Sequence, residues 1–93
     1  SAIEDVVRSI AELSNEYEVI VDKKGDTDRI VLKVEFSEDF SEDDRKAVEG
    51  KLKTELRLKT NLGYQIEFHD LGTLPRYEVK AKRFKDLRKH GGS

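Results

Sequence analysis

Ninety-three residues, 35% hydrophobic and 41% charged, make one domain with a thin core and a heavily solvated surface. The chain has no cysteine and no long apolar run, which excludes disulfides, a thiolate metal site and a transmembrane helix and fits a cytoplasmic setting. Net charge is −2, yet Arg76 to His90 holds seven Lys/Arg against two Asp/Glu, and 11 against 18 remain elsewhere, so a basic loop and tail suited to an anionic group, phosphate above all, stands apart.

Ser1 to Glu4 has the capping-box form, and Ile3, Val6, Val7, Ile10 and Leu13 recur at helical spacing. This predicts a first helix from Ala2 to Leu13, stopped by Ser14-Asn15. Tyr17, Val19 and Val21 then alternate with Glu18 and Asp22, although Ile20 breaks the polar side. The polar run from Lys23 to Asp28, around Gly25, reads as a hairpin loop. Ile30, Leu32, Val34 and Phe36 form a clean alternating set, so the two strands pair antiparallel.

Ser37 to Asp44 is acidic and offers two N-caps, Ser37 and Ser41. It lacks the glycine turn and closing glutamate of an EF-hand, and acids at a helix start compensate the dipole, so no metal site is expected. A second helix is predicted from Ser41 to Thr60, ending near Asn61 or Gly63. Val48, Leu52 and Leu56 form one row and Leu58 and Leu62 another, which leaves Leu58 as the exposed edge. Tyr64, Ile66 and Phe68 alternate in a third strand, and Ala81 to Lys89 reads as a short basic helix. The expected fold is α+β: a small three-stranded antiparallel or mixed sheet, two helices on one face, and a basic C-terminal loop and tail. Residues 1–93 form a single domain. Ile30, Leu32, Val34, Phe36, Ile66 and Phe68 should face a common core.

The stretch Gly72-Thr73-Leu74-Pro75-Arg76-Tyr77-Glu78-Val79-Lys80-Ala81-Lys82-Arg83 closely resembles the C-terminal motif of phenylacetate-CoA ligase-type adenylate-forming (AMP-binding) enzymes, roughly G-T-L-P-R-x-E-G-K-A-K-R. One position departs: the family's glycine before the lysine is Val79. Ser1 to Val6 is similar to the helix that follows the family's hinge and hairpin, so the likeness spans nearly the whole chain as the lid of a much larger enzyme. The resemblance implies that Lys80 is the adenylation lysine, its ammonium neutralising charge at the α-phosphate while aligning the carboxylate nucleophile. It implies that Pro75 and Arg76 fix the loop, and that Arg76, Lys82 and Arg83 face phosphate or the large domain. The ATP and acid pockets of the family lie in that large domain. The chain is therefore expected not to be an enzyme by itself and to hold no cofactor, with ATP, Mg²⁺ and CoA belonging to the parent enzymes.

Glycine before a catalytic lysine permits positive φ or close approach, and a β-branched Val79 would be strained at positive φ. Leu71 stands where the family tends to carry proline, and Leu87 where it tends to carry a polar residue. With Tyr77, Val79 and Phe84 they are read as an exposed apolar patch for a protein partner, Tyr77 its leading anchor. Two readings follow. One is a stand-alone, non-catalytic lid re-surfaced as a protein-binding module, its partner an engineered target. The other is a natural lid whose partner is the missing large domain. The absence of Met and the closing Gly91-Gly92-Ser93, read as a linker scar, favour the first. His69 and His90 have no ligand partners in sequence, and His69 falls on the polar face of its strand. Tyr77 and Phe84 among lysines would suit single-stranded nucleic acid, but the acidic net charge and the lack of a recognition module speak against it.

Overall fold

The alternating run that begins after Asn15 and ends at Phe36 becomes a long hairpin in the computed structural model, which describes residues 1–37 and 41–88. β1 (Leu13–Lys24) and β2 (Thr27–Phe36) pair antiparallel across a two-residue turn. Gly25 takes φ +64 there, a backbone conformation that glycine adopts without steric cost. Tyr17, Val19 and Val21 face Val34, Leu32 and Ile30, so these six share one side of the sheet. Glu18, Ile20 and Asp22 face Lys33, Val31 and Arg29 on the other side. Ile20, which interrupts the polar alternation, thus has an apolar cross-strand partner.

α1 (Ala2–Ser9) is capped by Ser1, whose Oγ accepts from the Glu4 amide at 3.2 Å. The helix stops four residues short of the Leu13 expected from its stripe. Leu13 instead pairs with Phe36 in the sheet, and the Leu13 amide closes a turn onto the Ile10 carbonyl at 3.1 Å. Ile10 and Leu13 remain buried; tertiary pairing has overridden the helical pattern while keeping its apolar residues inside.

α2 (Glu42–Thr60) follows the expected bounds. Ser41 and Asp44 form a capping box, and Asn61 ends the helix in the left-handed conformation at φ 58. Val48, Leu52 and Leu56 are its buried row, and Leu58 is exposed. The helix carries the chain across to β3 (Gln65–His69), which lies parallel to β2. A 3-10 turn at Lys80–Arg83 leads into β4 (Phe84–Asp86), parallel to β1. The sheet order is β3-β2-β1-β4: four strands in a mixed sheet, one more than expected. The 3-10 turn and β4 stand where a basic helix was anticipated, because β1 has an open edge that a short extended segment can pair with. Lys89, the end of that anticipated helix, lies outside the described residues, as do His90, residues 91–93, and residues 38–40 of the acidic segment.

Both helices cover one face. Leu32, Val34 and Phe36 are buried with Val6, Val7, Leu52 and Leu56, and Ile30, Ile66 and Phe68 pack against them. The Phe36 and Phe68 rings stack at 4.9 Å between centroids. All six residues expected to share a core do so. No described helix is long and apolar enough to cross a membrane.

Candidate functional site: a strap across the open face of the sheet

With β3 on one edge and β4 on the other, the chain between them must travel past β2 and β1, about 14 Å at ordinary strand spacing. The resemblance motif makes this passage, over the face without helices. It starts in a turn in which the Thr73 hydroxyl donates to the Asp70 carbonyl at 2.6 Å and Gly72 adopts φ +85, where a side chain would be strained. From Leu74 to Glu78 the described backbone makes no backbone–backbone hydrogen bond. Side chains therefore decide where this segment lies.

Glu35 is the first anchor. Its side chain, on the face opposite Leu32 and Val34, is fully buried. Oε1 accepts from the Leu74 amide at 3.0 Å and from one Arg76 nitrogen at 2.8 Å. Oε2 accepts from the second Arg76 nitrogen at 2.8 Å and from the Ser14 hydroxyl at 2.9 Å. Burial by itself would raise this carboxyl; the Arg76 guanidinium, the Leu74 amide and the Ser14 hydroxyl outweigh it and hold the pKa down at about 2. Ser14 arrives through a β-bulge: Leu13 pairs with Phe36 and Tyr17 with Val34, so Ser14, Asn15 and Glu16 stand opposite the single residue Glu35.

Glu18 is the second anchor, also buried. It accepts a hydrogen bond from the Tyr77 hydroxyl at 2.7 Å and lies 3.4 Å from the Lys85 ammonium, which sits over the Tyr77 ring at 5.7 Å. Burial raises the Glu18 carboxyl, and the Tyr77 and Lys85 contacts bring it below its ordinary value. Past Tyr77 the strap reaches α1. The Lys80 ammonium donates to Glu4 Oε1 at 3.0 Å, and this bond is the main cause holding the Glu4 carboxyl low. Lys80 itself stays 63% exposed. Arg83 closes the passage, nine-tenths buried, with its guanidinium 4.7 Å above the Tyr17 ring and 3.4 Å from Glu16.

The residues singled out in sequence therefore separate into three groups. Arg76 and Arg83, assigned to phosphate or the large domain, are engaged inward with Glu35, Glu16 and Tyr17. Lys80 and Lys82 face solvent, and Lys82 has no carboxylate partner among the described residues. Leu71, Val79, Phe84 and Leu87 are 59%, 55%, 45% and 61% exposed, whereas Tyr77 is half-buried against Glu18.

These five do not form one patch. Leu71 leaves β3 beyond the pair His69–Glu35. Leu87 leaves β4 at the far edge and opposite end, its amide on the Val21 carbonyl at 2.7 Å. Only Val79 and Phe84, on either side of the 3-10 turn, remain near Lys80. Val79 has φ −99, ordinary extended backbone, so valine is unstrained where the motif carries glycine. His69 contacts Glu67 at 2.8 Å on the open face.

Glu35, Glu18 and Glu4 are the strap's carboxylate partners that sequence reasoning missed; in sequence Glu35 and Glu18 stand in the polar register of their strands, and Glu4 reads only as the carboxylate of a capping box. A cavity of about 950 Å³ opens at the hairpin end, lined by Val21, Ile30, Leu62, Tyr64 and Arg88 among others. No residue of the strap reaches it.

The AMP-binding enzyme C-terminal domain family model matches residues 1–88. Among solved structures, a domain of phenylacetate-coenzyme A ligase from Bacteroides vulgatus is 25% identical with a TM-score of 0.83, over 94% of this chain and 81% of that one. 2-Hydroxyisobutyryl-CoA ligase, solved with 2-HIB-AMP and CoA in the thioesterification state, is 17% identical with a TM-score of 0.83 and shares the fold. The match covers 94% of this chain but only 19% of that ligase. Comparison with curated proteins finds no match. A helix-backed mixed sheet crossed by a lysine-bearing strap, and a family match over 88 of 93 residues, place this chain in the family of AMP-binding enzyme C-terminal domains.

Proposed function

We propose that the chain is the lid of an adenylate-forming acyl-CoA ligase, presenting Lys80 to an ATP-binding domain outside these residues. The observation that carries this reading is the state of Lys80: an exposed ammonium at the head of a short turn, on a strap anchored on both sides, with one partner at the surface. In acyl-adenylate formation a carboxylate oxygen bonds to the α-phosphorus of ATP and pyrophosphate leaves. A cation beside both reactants neutralises the growing negative charge and aligns the attack. To do this Lys80 exchanges Glu4 for the phosphate. An exposed ion pair gives it up at little cost. Of the ATP, Mg²⁺ and CoA of the parent ligases, Lys80 offers fitting chemistry for a phosphate; substrate pockets belong to the large domain.

ATP–pyrophosphate exchange with phenylacetate tests the reading. The chain alone should show none, and adding it to a phenylacetate-CoA ligase stripped of its own C-terminal domain should restore exchange. Lys80→Ala should abolish the restoration. Equal restoration by wild type and Lys80→Ala, or none by wild type, overturns the assignment.

A second reading rests on the exposure of Val79, where the motif carries glycine, and of Phe84 across the turn. In it this corner is a non-catalytic protein-binding surface with a basic rim from Lys80 and Lys82. Val79→Gly and Phe84→Ala would then reduce self-association in sedimentation while leaving thermal stability nearly unchanged.

A further inference from the structure

The buried carboxylate of Glu35 meets two groups of the strap and one of the bulge. Ser14 binds Oε2 from the bulge, and its own oxygen is fixed by accepting from the Glu16 amide at 3.1 Å. The hairpin thus orients the carboxylate with groups of its own, independent of the strap. The strap then supplies the Leu74 amide and the planar Arg76 fork, and Arg76 also donates to the Leu74 carbonyl at 3.2 Å. A bidentate guanidinium–carboxylate pair defines direction as well as distance. Because the neighbouring backbone makes no backbone–backbone bond of its own, these contacts set its course. Glu16, on the same bulge, receives Arg83 from the far side of Lys80. Lys80 therefore lies on a short span between two seats, both built on the bulge and the residue opposite it.

We propose that Glu35 is the positioning residue of the motif strap, and that Arg76 works inward on it to fix the span from which Lys80 is presented. The bearing on ligation rests on the lid reading above; the anchoring does not.

Amide hydrogen exchange and side-chain NMR on the 93-residue chain test it, with Glu35→Ala, Glu35→Gln and Arg76→Gln. Glutamine keeps one acceptor oxygen, enough for the Leu74 amide, but replaces the oxygen that accepts from Ser14 with a donor NH2 and loses the ion pair. Relative to the core amides of Leu32 and Leu52, the Leu74 amide should exchange about tenfold faster or more in Glu35→Ala, and less so in Glu35→Gln. Arg76→Gln, made from the exposed side, should do the same and keeps the test open if Glu35→Ala does not fold. In each variant the Glu4–Lys80 contact should weaken while α1 and α2 signals persist. Unchanged Leu74 protection overturns the proposal, as does acceleration of Leu74 and Leu32 by one common factor, which marks a merely structural role. Because exchange reads the strap and complementation reads adenylation, a seated strap with failed complementation sinks the lid reading alone.

Discussion

The two faces of this sheet are held by different forces. On the helical face, Leu32, Val34, Leu52 and Leu56 are buried against one another, a stabilisation that is non-directional and spread over many contacts. On the open face the strap rests on Glu35 and Glu18 through a few directional bonds. Apolar packing builds the platform; carboxylates choose where the strap crosses it. A segment that must hold one ammonium at a defined place gains from directional contacts, because each fixes an angle as well as a separation. Such a segment can also open locally without unfolding the platform.

The largest effect expected from breaking one side of this comparison is in the platform. Leu52→Ala, at a fully buried site, should cost about 2–5 kcal/mol and lower the denaturation midpoint for helices and strap together; an unchanged midpoint would mean the helical packing is wrong. Glu35→Ala should cost about 2 kcal/mol, since it removes charged hydrogen bonds from a buried site. Its signature is loss of Leu74 protection beyond any loss in the core.

Acid should act on the same anchor. The Glu35 carboxyl falls from an ordinary 4.5 to about 2 in the fold, so its stabilisation is complete above about 4.5 and is lost as pH falls through 2. The difference in Leu74 protection between wild type and Glu35→Gln should therefore shrink over that window. A gap that stays constant down to pH 2 contradicts the assignment. Tyr77→Phe, which removes only the hydroxyl on Glu18, should cost about 1 kcal/mol by denaturation. The smallest effect belongs to Val79→Gly, expected within about 0.5 kcal/mol because the side chain is exposed and unstrained; a larger loss would place Val79 in the packing.

The platform was legible in sequence because it is periodic. The hairpin, the α2 row of Val48, Leu52 and Leu56, and the six residues from Ile30 to Phe68 follow from periods of 2 and 3.6, and Ser41, one of two N-caps the sequence offers, caps α2. The early end of α1 was not legible, since Leu13 suits a helical stripe and a strand equally well. Nor was β4: its three residues carry no alternation and are strand only because β1 offers an edge.

The motif made Lys80 recognisable, and the fold leaves its ammonium exposed beside Glu4. The seat of the motif stayed hidden for a physical reason. Glu35 occupies the polar register of its strand, and the arginine that buries it is 41 positions away. Leu71 and Leu87 lie apart for a like reason: linear proximity says nothing of a strand order that sends β3 and β4 to opposite edges.

The most direct test of a strap seated by a carboxylate is a double-mutant cycle of Glu35→Gln and Arg76→Gln, read on the exchange rate of the Leu74 amide relative to that of Leu32. If the two residues act as one anchor, the double variant should exchange no more than about twice as fast as the faster single variant, far short of the product of the two effects. Multiplying effects, with each substitution accelerating Leu74 independently of the other, would contradict the account.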